Sequence, residues 1–194
     1  MRRKLLVATF AASLAAAPVL AVDLVTNGGF ETGNLTGFSD SSDPQSAFVS
    51  STAAHSGQFG YLNGTAGQDG VLAQTIATQL GTTYTYSFYL ENDGSTPNDI
   101  TVKLGNTVLL ALSNAAAFGY TNFTGTVVAD ASNDAFTFSF RNDNGSFGLD
   151  DISLTSNSIT PPPPIPEPAT WALLVTGFGL TGLVARRRAN VVSC

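Results

Sequence analysis

The sequence predicts an all-β sandwich domain, and three observations carry that reading. Stretches of β-branched and aromatic residues alternate with small polar ones. Gly/Asn/Asp/Ser clusters separate these stretches at short intervals. Only 11% of the residues are charged, and no segment of the central region keeps a helical period. About ten short strands at this spacing describe a sandwich of two sheets.

Each element has its own warrant. Residues 83–90 alternate Thr and Tyr with Ser and Phe, which suits a pleated, half-buried strand. There Tyr84 and Tyr86 share a face with Phe88, and Tyr89 points the other way. Residues 135–141 place Phe136, Phe138 and Phe140 on one face at period two. Segments 100–104 and 107–110 flank Gly105-Asn106, a two-residue hairpin turn. Further strands are expected at 47–50, 59–62, 71–77, 120–127 and 152–155. Turns are expected at Asn63-Gly64, Asn92-Asp93-Gly94, Ser132-Asn133-Asp134 and 142–145. No internal repeat is visible.

The two ends handle traffic and stand outside the fold. Arg2, Arg3 and Lys4 precede an apolar run over 5–17, and small residues follow at 19–21. This predicts a secretory signal peptide over 1–21, removed by signal peptidase. The folded domain then covers 22–156. Residues 157–165 turn to Ser, Thr and Pro, a semi-rigid polyproline spacer. From 169 to 185 the chain carries no charge, and as a helix at about 1.5 Å per residue it spans about 25 Å, enough for a thin bilayer. Trp171 lies at one end of this expected transmembrane helix and Arg186, Arg187 and Arg188 lie at the other, on the side that stays cytoplasmic.

Pro166-Glu167-Pro168, the Trp171-Ala172 pair, the Gly-bearing apolar segment and the terminal arginines together resemble the PEP-CTERM sorting signal over 166–188. The resemblance implies recognition by an exosortase in a Gram-negative bacterium and removal of the tail. It also implies delivery from a membrane-anchored precursor to the cell surface or matrix, where exopolysaccharide is the expected company.

Charge divides sharply along the chain. Every basic residue except Lys103 and Arg141 belongs to one of the two ends, and every acidic residue except Glu167 belongs to the central domain. So acidic a domain has no electrostatic footprint for nucleic acid. The single cysteine, Cys194, lies in the tail, so the domain has no disulfide and depends on its core.

The central domain carries a second resemblance. It opens Asp-Leu-Val-Thr-Asn-Gly-Gly-Phe-Glu-Thr-Gly over 23–33, then brings Gly37-Phe38, Ala54-His55-Ser56-Gly57 and the strand at 81–88. It closes Gly-Leu-Asp-Asp-Ile-Ser-Leu over 148–154. In order and spacing this resembles jelly-roll carbohydrate-binding modules of the galactose-binding-like type. The resemblance implies that the first and last strands lie side by side, with a structural calcium ion near their junction. The matching ligands are Glu31 and Asp150, with Asp151 a weaker one and backbone oxygens completing the set. The residues themselves predict a β-bulge at Asp150-Asp151, because Phe147 and Leu149 share one face and Ile152 and Leu154 the other.

Sugar modules grip pyranose rings with exposed aromatics. This domain has no Trp, and Phe38 stands where such modules commonly have one. Aromatics at strand spacing more often build a core, which leaves Tyr61, Tyr89 and Tyr120 as the candidate platform. Catalysis is not expected: the one histidine, His55, has no partner for a zinc site or a triad, and there is no G-x-S-x-G elbow. Glu31 and Glu91 are the only glutamates of the central domain, and nothing selects them as a glycosidase pair. The main expectation is therefore a non-catalytic surface or matrix protein associated with exopolysaccharide. The alternative is a module with a specific glycan ligand, and a hydrolase ranks third.

Overall fold

The computed structural model describes residues 21–156, which form two antiparallel sheets of five strands each. One sheet runs β2 (Ala47–Ser50), β3 (Gly60–Asn63), β10 (Phe147–Ser156), β5 (Thr83–Asn92), β8 (Phe118–Val128). The other runs β1 (Ser39–Asp40), β4 (Gly70–Ile76), β9 (Asp134–Asn142), β6 (Asn98–Leu104), β7 (Thr107–Ser113). Successive strands repeatedly change sheets, consistent with a jelly roll. The signal peptide, linker, transmembrane helix and sorting motif expected from the sequence lie outside the described residues. Among the described residues no helix is long and apolar enough to cross a membrane.

The core follows from strand alternation. Phe136, Phe138 and Phe140 of β9 are all buried. Phe138 meets Phe88 of the opposite sheet edge-on, with centroids 5.4 Å apart at 89°. Phe140 packs against Phe147 of β10 at 5.9 Å. Each such ring contributes on the order of 1.5–3 kcal/mol by leaving water. Every buried apolar residue of the described core lies between Phe30 and Leu154, so the sandwich contains what it needs to fold by itself.

Three strands run three or more residues longer than the sequence pattern indicates. β10 begins at Phe147, five residues before the expected 152, and joins β3 and β5 through that first half. The bulge explains the hidden half: the register with β5 skips between Asp150 and Ser153, and Asp151 takes φ +50°. The alternation changes phase there, so one strand reads as a loop followed by a shorter strand. β7 and β8 also extend beyond 107–110 and 120–127, to Ser113 and from Phe118 to Val128. The two-residue β1 has no periodicity to reveal it.

The opening segment is laced to β10 as the resemblance implied. Asp23 bridges Thr155, Leu24 N–H donates to Leu154 O at 2.9 Å, and Ile152 N–H donates to Gly28 O at 3.0 Å. A Cβ on Gly28 would sit 1.9 Å from Ile152 O, so the close approach requires glycine there.

Candidate functional site

The outer face of the β2-β3-β10-β5-β8 sheet carries the chemistry. With Phe88, Leu90 and Leu149 turned into the core, Tyr89, Ser87 and Thr85 turn outward. The register then sets out rows across three strands. Gly148 lies beside Glu91, and Asp150 beside Tyr89 and Asn122. Ser153 lies beside Ser87 and Thr124, and Thr155 beside Thr85 and Thr126. The result is an aromatic and acidic upper part with a lattice of hydroxyl and amide groups below it.

A loop from the other end of the sheet closes onto the upper part. It leaves β2 through a one-turn 3-10 helix, Ser51–Ala53, capped by the Ser50 hydroxyl accepting from Thr52 N–H. His55 and Ser56 backbone N–H groups both donate to Asp150 Oδ2, at 2.8 and 3.0 Å. The His55 ring lies 2.7 Å, Nδ1 to Oδ2, from Asp151, and the Ser56 hydroxyl donates to Asp151 Oδ1 at 2.7 Å. The bulge serves this arrangement, because it turns two successive carboxylates toward one loop. His55 then stacks on Tyr89 with ring centroids 3.7 Å apart and lies 5.2 Å from Tyr120.

Tyr120 completes the wall. Its hydroxyl donates to Ala53 O and also meets the Glu91 carboxyl. Burial pushes the Glu91 carboxyl above its ordinary range, against the Tyr120 bond that lowers it. Burial likewise raises the Tyr120 phenol, followed by the charge of Glu91. A phenol has one proton, so Ala53 O and the Glu91 carboxyl compete as acceptors for it. Gly148 makes room, since a Cβ there would come within 2.5 Å of the Tyr120 hydroxyl and 2.6 Å of Glu91 Oε1.

Of the three tyrosines expected to form a platform, the structure turns Tyr61 into the core and leaves Tyr89 and Tyr120 on the outer face. Tyr61 is fully buried and stacks on Phe30 at 5.7 Å. Its hydroxyl donates to Asp40 Oδ2 at 2.7 Å and accepts from Asn63 Nδ2 at 3.0 Å. It faces inward because β3 pairs it with Leu149 of the core; the outward neighbour is Leu62. Tyr89 does reach the outer face, but His55 covers its ring. Tyr120 reaches it too, tied by its hydroxyl to the loop. Phe38 is half-buried and packs on Phe30 at 5.4 Å, against the core. The polar residues Asn122, Ser87, Thr124 and Ser153 were missed, since Ser, Thr and Asn are common along the whole chain and only register makes them neighbours.

Of the three acids expected to hold calcium, Asp150 and Asp151 stand side by side near Gly29, while the Glu31 carboxylate turns to the Gln58–Phe59 backbone. A Cβ on Gly29 would lie 3.8 Å from Asp150 Oδ1, 3.7 Å from Asp151 Oδ1 and 3.8 Å from Glu31 Cγ. All three also serve as hydrogen-bond acceptors. Glu31 accepts from Gln58 N–H and Phe59 N–H at 2.9 and 3.0 Å, and Asp150 Oδ1 accepts from Asp151 N–H at 2.8 Å. Among the described residues no three His, Cys, Asp or Glu side chains converge as a metal-binding group. The donor set still fits a hard cation in part: a carboxylate has about four lone-pair sites, and neither Lys103 nor Arg141 lies at this junction. Backbone oxygens would have to supply most of the six to eight ligands calcium takes.

Comparison with known proteins follows this geometry. A family model described as a carbohydrate binding domain matches residues 22–146. Among solved structures, TmCBM61 in complex with β-1,4-galactotriose aligns with a TM-score of 0.53 at 18% identity, covering 69% of this chain and 97% of that one. The K3 cleaved adhesin domain of Lys-gingipain from Porphyromonas gingivalis gives 0.52 at 17% identity, covering 70% and 98%. The Clostridium thermocellum xylanase 10B CBM22-1-GH10 modules, complexed with xylohexaose, give 0.51 at 16% identity, covering 70% and 29%. At such identities the likeness is one of fold. No curated protein matches.

Proposed function

Because this chain belongs to the carbohydrate-binding domain family, matched over more than half its length, we propose that it is a non-catalytic module that binds a neutral glycan. The sugar lies across the outer face of β10, β5 and β8. The wall of His55, Tyr89 and Tyr120 bounds it at one end, and Asn122, Ser87, Thr124 and Ser153 meet its hydroxyls. The observation that carries this reading is the register itself, which sets those polar side chains in two adjacent rows beside the ring cluster. A saccharide is recognised by such groups, with aromatic edges fixing its orientation.

The charge distribution selects a neutral ligand. Glu91, Asp150 and Asp151 flank this face, while the only two basic residues among those described, Lys103 and Arg141, sit on strands of the other sheet. Arg141 is further committed to a two-pronged pair with Asp143, both contacts at 2.8 Å. An anionic polysaccharide would meet repulsion here without a compensating cation.

Export and sorting complete the proposal. The signal peptide would carry the domain out of the cytoplasm. The motif at 166–168 with Trp171 and the three arginines would present it to an exosortase, and exopolysaccharide at the cell surface would be its ligand. Calcium at the Glu31–Asp150–Asp151 junction would hold the opening segment against β10 and lies outside the sugar face.

Affinity electrophoresis of residues 22–159 tests the binding. The gels would carry a panel of neutral and charged polysaccharides, including a β-1,4-galactan, a xylan and the producer's own exopolysaccharide. One neutral glycan should retard the domain, and Asn122→Ala with Thr124→Ala should abolish the retardation without changing Tm. Uniform mobility on every gel would sink the glycan reading and leave a matrix protein with no glycan ligand. The sorting has a separate test: alanines at 166–168 should leave the tail attached and the protein in the inner membrane.

A further inference from the structure

The two sides of the sandwich end very differently. On one side the edge strands are β1, of two residues, and β2, of four. On the other the edges are β7, of seven residues, and β8, of eleven. β7 and β8 close their respective sheets and pack beside each other. Neither contains a proline or a charged residue.

Long, flat, uncharged edges are what soluble β-proteins avoid. An edge strand presents a row of unpaired backbone N–H and C=O groups, and it is normally guarded by lysine, proline, a bulge or brevity. Here brevity guards the first side, whereas the second has only a single register irregularity in each strand pair. β8 pairs with β5 along nearly its whole length, with one irregularity near its start. It therefore stays straight enough to template another strand over about 37 Å. Val108 of β7 and Val128 of β8 are 53% and 54% exposed, two of the five exposed large apolar residues among those described. Both sit at the end where Asn106 N–H donates to Asp130 Oδ2 at 3.0 Å.

We propose that β8 is a docking edge for a second copy of this chain, the two β8 strands pairing antiparallel about a two-fold axis. Two five-stranded sheets then become one continuous sheet. A second copy fits better than a foreign strand for three reasons. The interface is self-complementary, as a two-fold contact must be. Paired with itself in full overlap about Phe123, this strand sets Asn122 against Thr124 and Tyr120 against Thr126, and brings no like charges together. Elsewhere the acidic surface repels a second copy, whereas β7 and β8 themselves carry no charge, so approach along them costs less. The side is about 37 Å long and, with sheets about 10 Å apart plus their side chains, about 20 Å deep. It offers roughly 500–700 Å² per copy, enough to clear the ~1,000 Å² total of a specific interface. The pairing would also align the outer faces of the two copies, but it stands whether or not those faces bind sugar.

Sedimentation velocity of residues 22–159, from about 1 µM to about 1 mM, tests it. The wild type should pass from monomer to dimer. The double variant Thr121→Lys, Thr126→Lys should remain monomeric at every concentration with an unchanged Tm, because edge lysines block strand addition. A wild type that stays monomeric throughout, or a dimer that survives both lysines, overturns the proposal. Should the variant fail to fold, amide hydrogen exchange of the wild type decides. The β8 amides should exchange more slowly at the higher concentration, while an exchange rate independent of concentration refutes the pairing.

Discussion

The imidazole of His55 lies flat on the ring of Tyr89, with centroids 3.7 Å apart and planes 14° from parallel. The chain joins them through a loop fixed at both ends of its contact: the backbone of His55 on Asp150, its ring on Asp151. The lone histidine, for which the sequence offers no zinc or triad partner, is thus the clasp of a loop.

That clasp has a measurable strength. A double-mutant cycle with His55→Ala and Tyr89→Ala, read by urea unfolding, should give a coupling of about 0.5–1.5 kcal/mol, the usual range for stacked rings. Additive single losses would mean that the stack contributes nothing beyond burial.

Tyr61 separates core from platform. Tyr61→Phe keeps the stack on Phe30 but leaves Asp40 and Asn63 without their shared hydroxyl. The expected loss is about 1–2 kcal/mol of stability, with glycan retention unchanged. Retention lost at unchanged stability would return Tyr61 to the sugar site.

Glu91 makes the stability depend on pH in a definite direction. Burial raises its carboxyl, with the Tyr120 bond opposing. A raised acid stabilises the fold fully below its unfolded value, about 4.3, and that contribution fades as pH rises through the folded value. Glu91→Gln keeps an uncharged acceptor beside Tyr120 at all pH. Its Tm should therefore gain on the wild type as pH goes from 4 to about 7. Parallel Tm curves would show that Glu91 feels no burial.

Calcium at the opening junction predicts that a chelator lowers the Tm of the domain by several degrees and that added calcium restores it, because an ion bound only to the folded state stabilises it by mass action. Unchanged Tm, with no metal found in the purified protein, removes the ion. Glu31→Gln should then cost little, as Gln58 and Phe59 N–H groups still find an acceptor.

Local pattern determined much of this architecture. The period-two faces of β5 and β9, the Gly105-Asn106 hairpin and the phase change at Asp150-Asp151 are all properties of a few adjacent residues, and the structure keeps each of them. Alternation assigns residues to two faces, but it does not say which face is turned inward or what a distant segment lays over it. Tertiary structure alone decided those points. Tyr61 is buried because its partner in register is Leu149, and Tyr89 is covered because a loop some thirty residues upstream is drawn in by carboxylates sixty residues downstream. Asn122, Ser87 and Ser153 are neighbours only because three strands far apart in the chain share one register. Such contacts depend on which long-range pairings minimise exposed apolar surface and unpaired backbone groups together, a choice made by the whole sandwich and by no single stretch of it.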